Sequence, residues 1–304
     1  MSVYNGAESL EETLESILGQ ERAVLEFIVV NDGSTDSSPA ILREAARRDP
    51  RVRVIDQENR GLTRALIKGC AAAKGRYIAR QDAGDISLPN RLARQVAILE
   101  DHPEVVMVSC GTRFIGPKGE PLFDVVQNDQ ELINGLNNLS GREIKGPSSH
   151  PSVVFRRKDY EAAGGYRASF RVAQDMDLWI RLVERGKPSA MPEVMYITQY
   201  TLGGISSTQR RVQLESMKQI LECARLRRGG QSEEPALIKA SQIGAVPIGP
   251  VRGRVVNSEF FYFIASCLRH SRPEQARYYY GKAIERNPFN VKALLRFILL
   301  AASR

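Results

Sequence analysis

Short apolar runs that alternate with polar loops and helical patterns are the feature that most constrains the fold of this chain. Four such runs, EFIVV, VRVI, RYIA and VVMVS, fall between residues 26 and 109. An apolar run without polar alternation is typical of a strand buried on both faces, and an intervening helix allows successive strands to run parallel. The sequence therefore predicts an α/β fold with a mostly parallel sheet sandwiched by helices.

Polar side chains follow three of these strands at the point where each strand ends. Ligands of open parallel sheets bind beyond the carboxyl ends of the strands, so three polar loops at one edge favour a binding site there. The residues are Asn31, Asp32, Glu58, Asn59, Gln81, Asp82 and Asp85. Asp and Asn are also ordinary turn formers and helix caps, so each of them taken alone has a structural alternative.

Composition and charge narrow the class of partner. The 304 residues are 42% hydrophobic and 26% charged, which is typical of a globular protein. The net charge of +8 and the pI of about 9.4 favour an anionic partner, such as a sugar nucleotide, a lipid phosphate or a membrane surface. Because Lys and Arg are scattered rather than gathered in one stripe with aromatic residues, nucleic acid is not expected as a partner.

The spacing of the cysteines and the hydropathy of the sequence indicate in which cellular compartment the protein lies. The four cysteines show no CxxC or Cys/His spacing and stand in apolar surroundings, which favours reduced thiols over disulfides or zinc. No apolar run reaches the ~18 residues of a spanning helix, and no signal-peptide pattern opens the chain. We expect a cytoplasmic protein, with a place at the inner face of the membrane left open.

Helical spacing dominates the chain after residue 205. A long amphipathic pattern from Ser206 to Arg228 is followed by the polar joint RRGGQSEEP. Residues that match one tetratricopeptide repeat come next: Phe260, Phe263, Ala276, Tyr280, Ala283 and Pro288. We predict an α/β domain at residues 1–205 and a helical region at 206–304, with a tetratricopeptide-like unit at about 257–290. The last helix, VKALLRFILLAA, either caps that unit or lies on an anionic leaflet.

Seven motifs, in order, carry a resemblance to a known family. They are SVYNGAESLEETLESILGQ, VVNDGSTD, ENRGLTRAL, GRYIARQDAGDISLPNRLARQ, HPSVVFRR, GGYR and AQDMDLWIRL. Over residues 1–205 the chain resembles a family-2 glycosyltransferase of the Rossmann-like, A-type nucleotide-diphospho-sugar fold. The resemblance implies transfer of a sugar from a nucleotide-diphosphate donor, a UDP-sugar being favoured, to a hydroxyl of a glycan or lipid-linked precursor of cell-surface polysaccharide. Inversion of the anomeric centre is implied as well.

The alternatives to single-sugar transfer include a processive synthase and a protein without turnover. A processive polymer synthase is disfavoured, because the QxxRW signature of such enzymes is absent and Trp179 is the only tryptophan. The second alternative is a catalytically impaired sugar-nucleotide-binding or scaffold protein that docks a protein partner through its C-terminal helices.

The resemblance implies a role for four residues outside the metal motif. Tyr4 matches the tyrosine that stacks on the nucleobase, and Asp32 matches the carboxylate that hydrogen-bonds the base. His150 matches a histidine that contacts the diphosphate or the acceptor, although a structural histidine is an equal alternative. Asp175 matches the catalytic base, and its place in a helical first turn, which lowers a carboxyl pKa, is also the ordinary place for an acidic residue.

The metal motif departs from the pattern of the family. Asp82 occupies the first position of its DxD motif, where it accepts a hydrogen bond from the donor ribose or binds a divalent cation. Gly84 stands where the principal metal ligand is usual, and Asp85 follows it. The resemblance implies Mg²⁺ or Mn²⁺, held by oxygen ligands. We expect Asp82 and Asp85 to supply them; weak metal dependence and lost activity are the other outcomes of the glycine.

The first strand of the family is represented here by Met1, Ser2 and Val3 alone. Losing buried strand residues would cost many kcal/mol, at ~1.5–3 kcal/mol for each large apolar side chain. We therefore expect a longer reading frame rather than a sheet that lacks most of a strand.

Overall fold

The computed structural model describes residues 1–20, 26–140, 144–201, 210–244 and 253–302. By their contacts these residues fall into two compact units, each assembled from separate stretches of chain. The first unit comprises Met1–Arg113, Asp124–Thr198 and Arg211–Ala245, and the second comprises Phe114–Phe123, Gln199–Arg210 and Val246–Arg304. Within the described ranges, no helix combines the length and the apolar character needed to cross a bilayer.

A parallel sheet in the order β1-β2-β3 opens the first unit. Its strands are β1 (Ser2–Val3), β2 (Phe27–Asp32) and β3 (Val52–Gln57), and the helices that follow them are α1 (Ala7–Leu18), α2 (Ser38–Arg48) and α3 (Leu62–Ala71). Every residue of β2 is buried, as expected for a strand covered on both faces. The predicted α/β class, with helices packed on a parallel sheet, is confirmed.

A second sheet contains antiparallel pairs. Its strands are β4 (Tyr77–Ala79), β5 (Ile86–Ser87), β6 (Val105–Ile115), β7 (Pro121–Val125), β8 (Val154–Arg156) and β9 (Lys187–Gln199). They lie in the order β4-β8-β6-β9-β5, with β7 on β6. β8 runs antiparallel to both β4 and β6, and β5 runs antiparallel to β9. An apolar run reports burial of a strand and not its direction, so the sequence pattern does not reveal these pairs.

The remaining described helices of the first unit pack on the second sheet or on one another and position the site. They are α4 (Arg91–Asp101), α5 (Asp129–Asn137), α6 (Arg157–Ala162), α7 (Gln174–Val183), α8 (Arg210–Arg228) and α9 (Glu234–Gln242), together with a 3-10 turn at His150–Ser152. Leu178, Trp179 and Leu182 of α7 pack with Phe155 of β8 in one apolar cluster. Burial of each such side chain stabilises the fold by ~1.5–3 kcal/mol, so the start of α7 is held firmly.

Helices α8 and α9 group with the first unit by contact, although the sequence places them in the helical region 206–304. Arg227 at the end of α8 donates to Glu184 beyond α7 and to Glu233 before α9. These ion pairs tie both helices to the α/β core. The predicted division into a catalytic α/β domain at residues 1–205 and a helical region at 206–304 stays a prediction.

Among the residues that the structure describes, the second unit contains the tip of a β-hairpin and three helices. Gly116 donates its N–H to the Glu120 carbonyl at the tip of the β6–β7 hairpin. The helices are α10 (Gly253–Leu268), α11 (Pro273–Arg286) and α12 (Val291–Ala302). Small buried side chains at Ala276 and Ala283 let α10 and α11 approach closely. The helical pair has the spacing of a tetratricopeptide unit, and membership of that repeat class stays a prediction.

A cavity of about 490 Å³ lies among residues of β2, α3 and β4. Phe27, Ile28, Leu66 and Ile78 contribute to its mainly apolar wall. The cavity wall includes none of the side chains that the sequence assigns to donor, metal or base. Arg80 and Arg91, which also line the cavity, connect it to the candidate site described next.

Candidate functional site

The predicted site residues lie on loops and element ends of the first unit. Asp32 is the last residue of β2, and Asp82 and Asp85 stand in the loop after β4. His150 begins the 3-10 turn before β8, and Asp175 lies in the first turn of α7. The structure therefore draws the candidate residues from segments far apart in sequence, as expected for a site at the ends of strands.

Arg80 links two of these segments. Its side chain is 3% exposed, its Nη2 donates to Asp82 Oδ1 at 2.5 Å, and its Nε donates to His150 Nε2 at 3.3 Å. Arg91 of α4 donates to the carbonyls of Arg80 and Pro151, at 3.1 and 2.9 Å. Because Arg91 is fully buried, the end of β4 and the turn at His150 are held in one fixed arrangement.

His150 is a partly buried, neutral imidazole. Its Nε2 lies 2.7 Å from the Tyr166 hydroxyl, and its ring packs edge-on against Trp179. Burial lowers the pKa of His150 well below the usual value, and the positive charge of Arg80 lowers that pKa further. Since Arg80 can only donate, Nε2 is an acceptor and the proton resides on Nδ1. A neutral ring carries no charge to offset that of a diphosphate, and the contact of His150 with the diphosphate or the acceptor stays a prediction.

Asp175 lies two residues after Ala173, the residue that precedes α7. The φ of Ala173 is 57°, in the left-handed region. The Asp175 Oδ1 accepts the Met176 N–H at 2.9 Å. Burial raises the pKa of Asp175 to about 6, while the Met176 N–H and the charge of Arg80 act in the opposite direction. The lowered pKa expected at a helix start is therefore outweighed by desolvation, and the carboxylate is mostly ionised at neutral pH with a basicity above that of an ordinary aspartate.

Asp177, two residues after Asp175 in α7, has a different electrostatic environment. Its carboxylate is 2% exposed and accepts from Arg181 at 2.6 Å and from Arg167. Arg167 also pairs with Glu233 at 2.7 Å. These contacts anchor the start of α7 and so position Asp175 without placing a second free carboxylate beside it.

Asp32 anchors a neighbouring loop. Its Oδ1 accepts from Gln57 Nε2 at 2.6 Å and from the Arg60 N–H at 2.9 Å, and its Oδ2 accepts the Gly61 N–H at 2.9 Å. Gly61 has a φ of 83° and precedes α3. The carboxylate thus shapes the loop after β3, and Oδ2 has capacity for a further donor, because a carboxylate oxygen accepts about two hydrogen bonds.

Tyr4 presents its ring to solvent, with 55% of its surface exposed. The backbone beside it is fixed, because the Asn5 side chain accepts the Thr35 N–H at 2.8 Å and the Asn5 N–H donates to Ser34. An exposed ring on a fixed loop suits stacking of a planar base. The loop after β2 therefore connects Tyr4 with the segment that begins at Asp32.

The two carboxylates of the predicted metal motif have different surroundings. Asp82 is 36% exposed beside Arg80, whereas Asp85 is buried and its Oδ1 accepts from Thr198 at 2.8 Å. Gly84 has a φ of +94° and donates its N–H to Thr13. Across the described part of the chain, no three His, Cys, Asp or Glu side chains are close enough to bind a metal together.

The carboxylates of this motif fit a hard divalent cation that is held mainly by the phosphates of a bound substrate. Mg²⁺ commonly uses one or two protein carboxylates, with substrate phosphates and water completing the shell. Asp82 offers one partly exposed carboxylate for such an arrangement. Arg80 shares that carboxylate, so it competes with a cation there.

Residues 1–163 match the model of the family described as Glycosyl transferase family 2. This chain belongs to glycosyltransferase family 2.

Curated relatives agree with the family. The chain is 33% identical over 193 residues to the putative glycosyltransferase EpsE of Bacillus subtilis, a match that covers 61% of this chain and 66% of that protein. It is 32% identical over 205 residues to the amylovoran biosynthesis glycosyltransferase AmsE of Erwinia amylovora, covering 64% and 73%. This family-2 glycosyltransferase therefore spans about two thirds of the length of EpsE.

Solved structures with the same fold include two proteins in complex with nucleotide sugars. S. aureus TarS 1–349 with UDP-GlcNAc aligns with a TM-score of 0.56 at 15% identity, covering 94% of this chain and 87% of TarS 1–349. The mannosyltransferase PcManGT of Pyrobaculum calidifontis, with GDP-Man and Mn²⁺, aligns with a TM-score of 0.54 at 21% identity, covering 99% and 84%. At these identities the likeness shows the fold, and the predicted A-type fold is confirmed.

The structure adds Arg80 to the residues that the sequence of this glycosyltransferase singles out. A charged residue at the end of an apolar strand, two positions before Asp82, is the one signal that could have found it. The contact with His150, 70 residues away, has no signal in the sequence.

Proposed function

We propose that this chain is an inverting, non-processive glycosyltransferase. Its donor is a nucleotide-diphosphate sugar, with a UDP-sugar favoured, and its acceptor is a hydroxyl of a glycan or lipid-linked precursor of cell-surface polysaccharide. The observation that carries the proposal is Asp175, an ionised carboxylate with a pKa of about 6 at the fixed start of α7. The names of AmsE and of the structures with bound nucleotide sugars support the donor and acceptor classes. We place the reaction in the cytoplasm.

Asp175 has the properties of a general base for this reaction. Its Oδ1 is oriented by the Met176 N–H, which leaves Oδ2 to face an acceptor hydroxyl. The acceptor oxygen forms a bond to the anomeric carbon as the bond from that carbon to the diphosphate breaks. The hydroxyl proton passes to Asp175, and the nucleoside diphosphate leaves with the bonding electrons. Attack from the face opposite the leaving group inverts the anomeric centre.

Tyr4 and Asp32 are the proposed donor-binding residues. The exposed ring of Tyr4 stacks on the base, and Oδ2 of Asp32, which accepts only one of the three hydrogen bonds described for that carboxylate, receives an N–H of the base. The bonds of Asp32 to the loop after β3 hold it rigid for that contact. Rigid placement lowers the ordering cost of binding.

Asp82 is the proposed first carboxylate ligand of Mg²⁺ or Mn²⁺, and Asp85, three residues later in the same motif, is the proposed second ligand. Such a cation, when bound, neutralises the negative charge that develops on the leaving diphosphate. Asp85 is held by Thr198, so its contribution requires that hydrogen bond to be exchanged. His150, being neutral, is proposed to orient Arg80 and Tyr166 at the diphosphate side rather than to supply charge.

The second candidate is a sugar-nucleotide-binding scaffold without turnover. The observations that favour it are Gly84 in place of an acidic residue and the burial of Asp85. Both functions predict nucleotide binding, so binding alone does not separate them.

Titration with UDP and GDP, each with and without Mn²⁺, tests the donor site, and release of nucleoside diphosphate from a panel of nucleotide sugars tests turnover. We expect metal-enhanced binding of one nucleotide and slow donor hydrolysis. Asp82→Ala should remove the effect of Mn²⁺ on binding, while Asp101→Asn, an exposed control at the end of α4, should not. Binding without any turnover, with acceptor extracts added, would favour the scaffold; no binding of either nucleotide would reject both.

A further inference from the structure

Helix α12 of the second unit has two apolar faces. Ala293 is fully buried, and Phe297 and Leu300 pack beside it on the cluster formed by α10 and α11. The other face carries large apolar side chains that are 41–62% exposed, among them Val291, Leu294, Leu295 and Ile298. These positions follow the i, i+3, i+4, i+7 spacing and so form one continuous stripe. Packing within the second unit accounts for the first face and not for this one.

Basic residues border the exposed stripe. Lys292 and Arg296 lie one turn apart on the exposed surface of α12, beside that stripe, and Phe289, which is 88% exposed, precedes the helix. From residue 287 to residue 304 the sequence contains Lys and Arg but neither Asp nor Glu. Positive charge beside a continuous apolar stripe complements a surface that is negative at its face and apolar beneath it.

We propose that α12 binds in the plane of an anionic lipid bilayer. Phe289, Val291, Leu294, Leu295 and Ile298 would enter the boundary between headgroups and acyl chains, with Lys292 and Arg296 at the lipid phosphates. A helix of 12 residues is shorter than the ~20 residues needed to span a bilayer, whereas apolar and basic faces on one helix are typical of interfacial binding.

Charge favours a bilayer over a second copy of this chain. A symmetric pairing of the exposed stripe would bring Lys292 and Arg296 of each copy towards those of the other. The segment from 287 to 304 has no acidic side chain to offset that repulsion. An anionic leaflet supplies the opposite charge at about the same depth, at ~1 kcal/mol for each basic residue near the surface.

Sedimentation of the full chain with vesicles tests the proposal. Vesicles of phosphatidylglycerol mixed with phosphatidylcholine are compared with vesicles of phosphatidylcholine alone. We expect binding to the anionic vesicles that weakens as salt rises. The double variant Lys292→Gln, Arg296→Gln should weaken that binding by about fivefold for each charge removed. The double variant Leu295→Gln, Ile298→Gln should weaken it by about tenfold or more, because it removes buried apolar area.

A matched control is available in the first unit. Leu214 and Ile238 are exposed to a similar extent, 59% and 51%, on α8 and α9, so Leu214→Gln, Ile238→Gln should leave vesicle binding unchanged. Because all six substituted side chains are exposed, the thermal transition of each double variant should match that of the unchanged chain. The nucleotide titration serves as a separate control, because the donor site lies in the first unit. A chain that binds no nucleotide could still bind vesicles, so the two proposals fail independently.

Three results would overturn the proposal. One is that the full chain stays in the supernatant with anionic vesicles at low salt. Another is an equal loss of binding in the Leu214, Ile238 control. The third is a dimer in light scattering that Leu295→Gln, Ile298→Gln abolishes while no vesicle binding occurs, which would make the stripe an interface between copies.

Discussion

Asp175 and Asp177 are two residues apart in α7 and have opposite electrostatic environments. The carboxylate of Asp177 is neutralised by Arg167 and Arg181. The Asp175 carboxyl receives one backbone N–H, and burial raises its pKa to about 6. A group of this kind combines ionisation at neutral pH with useful basicity, which is the compromise that general-base catalysis requires.

The substitution Asp175→Asn should lower turnover by ~10²-fold or more, because the amide keeps the shape of the side chain but cannot accept the proton. Nucleotide affinity should stay unchanged, since no donor contact is assigned to this residue. In the unchanged chain, turnover should fall below pH 6 as Asp175 becomes protonated, by about tenfold for each further pH unit. Rates of diphosphate release from pH 5 to pH 8 measure both effects; full activity in Asp175→Asn would exclude the base role.

Replacement of Arg80 should alter the pH profile as well as the stability. Arg80→Met removes the cation beside Asp82 and the donor to His150, which should lower the free energy of unfolding by about 1–3 kcal/mol. The charge of Arg80 lowers the pKa of Asp175, so its loss should raise that pKa and move the acid limb of the rate profile to higher pH. Arg80→Lys should retain the position of that limb while losing the forked hydrogen bonds. A limb that stays in place with Arg80→Met would show that Arg80 is structural alone.

Single residues of the site were predictable from the sequence in part. The order of the motifs marked Asp32, Asp82 and Asp175, but burial, which sets the pKa of Asp175, arises from side chains distant in sequence. The same limit applies to His150, whose neutral state depends on Arg80 and Tyr166. Spacing along the chain carries no information about either contact.

At the scale of elements, the loop from β4 to α4 is shaped by a glycine in a conformation that other residues avoid. Gly84 has a φ of +94°, and a Cβ built on it would lie 3.2 Å from Ser9 Oγ. Any side chain here, including an added aspartate, meets both constraints. The glycine thus leaves the loop unstrained, and its N–H donates to Thr13 on α1.

Gly84→Ala should lower the free energy of unfolding by about 1–2 kcal/mol, through backbone strain and contact with Ser9. Gly119→Ala is the matched control, because Gly119 has a φ of +78° and nothing within 4 Å of its added Cβ, so it reports strain alone. Adding Ser9→Ala to Gly84→Ala should recover the contact contribution. Urea unfolding of these variants measures each term, and a Gly84→Ala chain as stable as the unchanged one would mean that the loop relaxes freely.

Helix α7 should depend on its buried ion pairs. Asp177→Asn leaves Arg167 and Arg181 without their shared carboxylate, and breaking a buried pair on one side costs ~3–5 kcal/mol. We expect a loss of that order in urea unfolding. Glu161→Gln, which removes an exposed partner of Arg157, should change stability by less than about 1 kcal/mol. Equal small losses in both variants would show that the buried cations find other acceptors.

Elements were more predictable than their directions. The apolar runs located β2, β3 and β4, and the helical patterns located α2, α4 and α7, since burial leaves a periodic trace in the sequence. The antiparallel pairing of β4 with β8 has no such trace. It depends on how the chain returns through the segment between β6 and β8, where residues 116–146 show no repeated pattern.

For the molecule as a whole, the ionised carboxylate of Asp175 lowers the free energy of unfolding in the pH range in which it should act as a base. The pKa of Asp175 rises from an ordinary 3.8 to about 6 in the folded chain. A raised carboxyl pKa means that the folded state binds the proton more tightly than the unfolded state does. The stability of the fold therefore declines as pH rises from 3.8 to 6, and above pH 6 the full cost applies, up to ~3 kcal/mol.

The same substitution that abolishes turnover should therefore stabilise the protein. At pH 7, Asp175→Asn should raise the free energy of unfolding by up to ~3 kcal/mol, because the neutral amide avoids the desolvation cost of the carboxylate. The gain should shrink below pH 6 and vanish near pH 4, where Asp175 is protonated in the folded chain. Urea unfolding at pH 4, 5, 6 and 7 measures it, with exposed Asp101→Asn expected to change stability by less than ~0.5 kcal/mol throughout. A gain at pH 7 that persists unchanged at pH 4 would assign the effect to packing, and no gain at any pH would mean that Asp175 is solvated in the folded chain and is too weak a base for the proposed transfer.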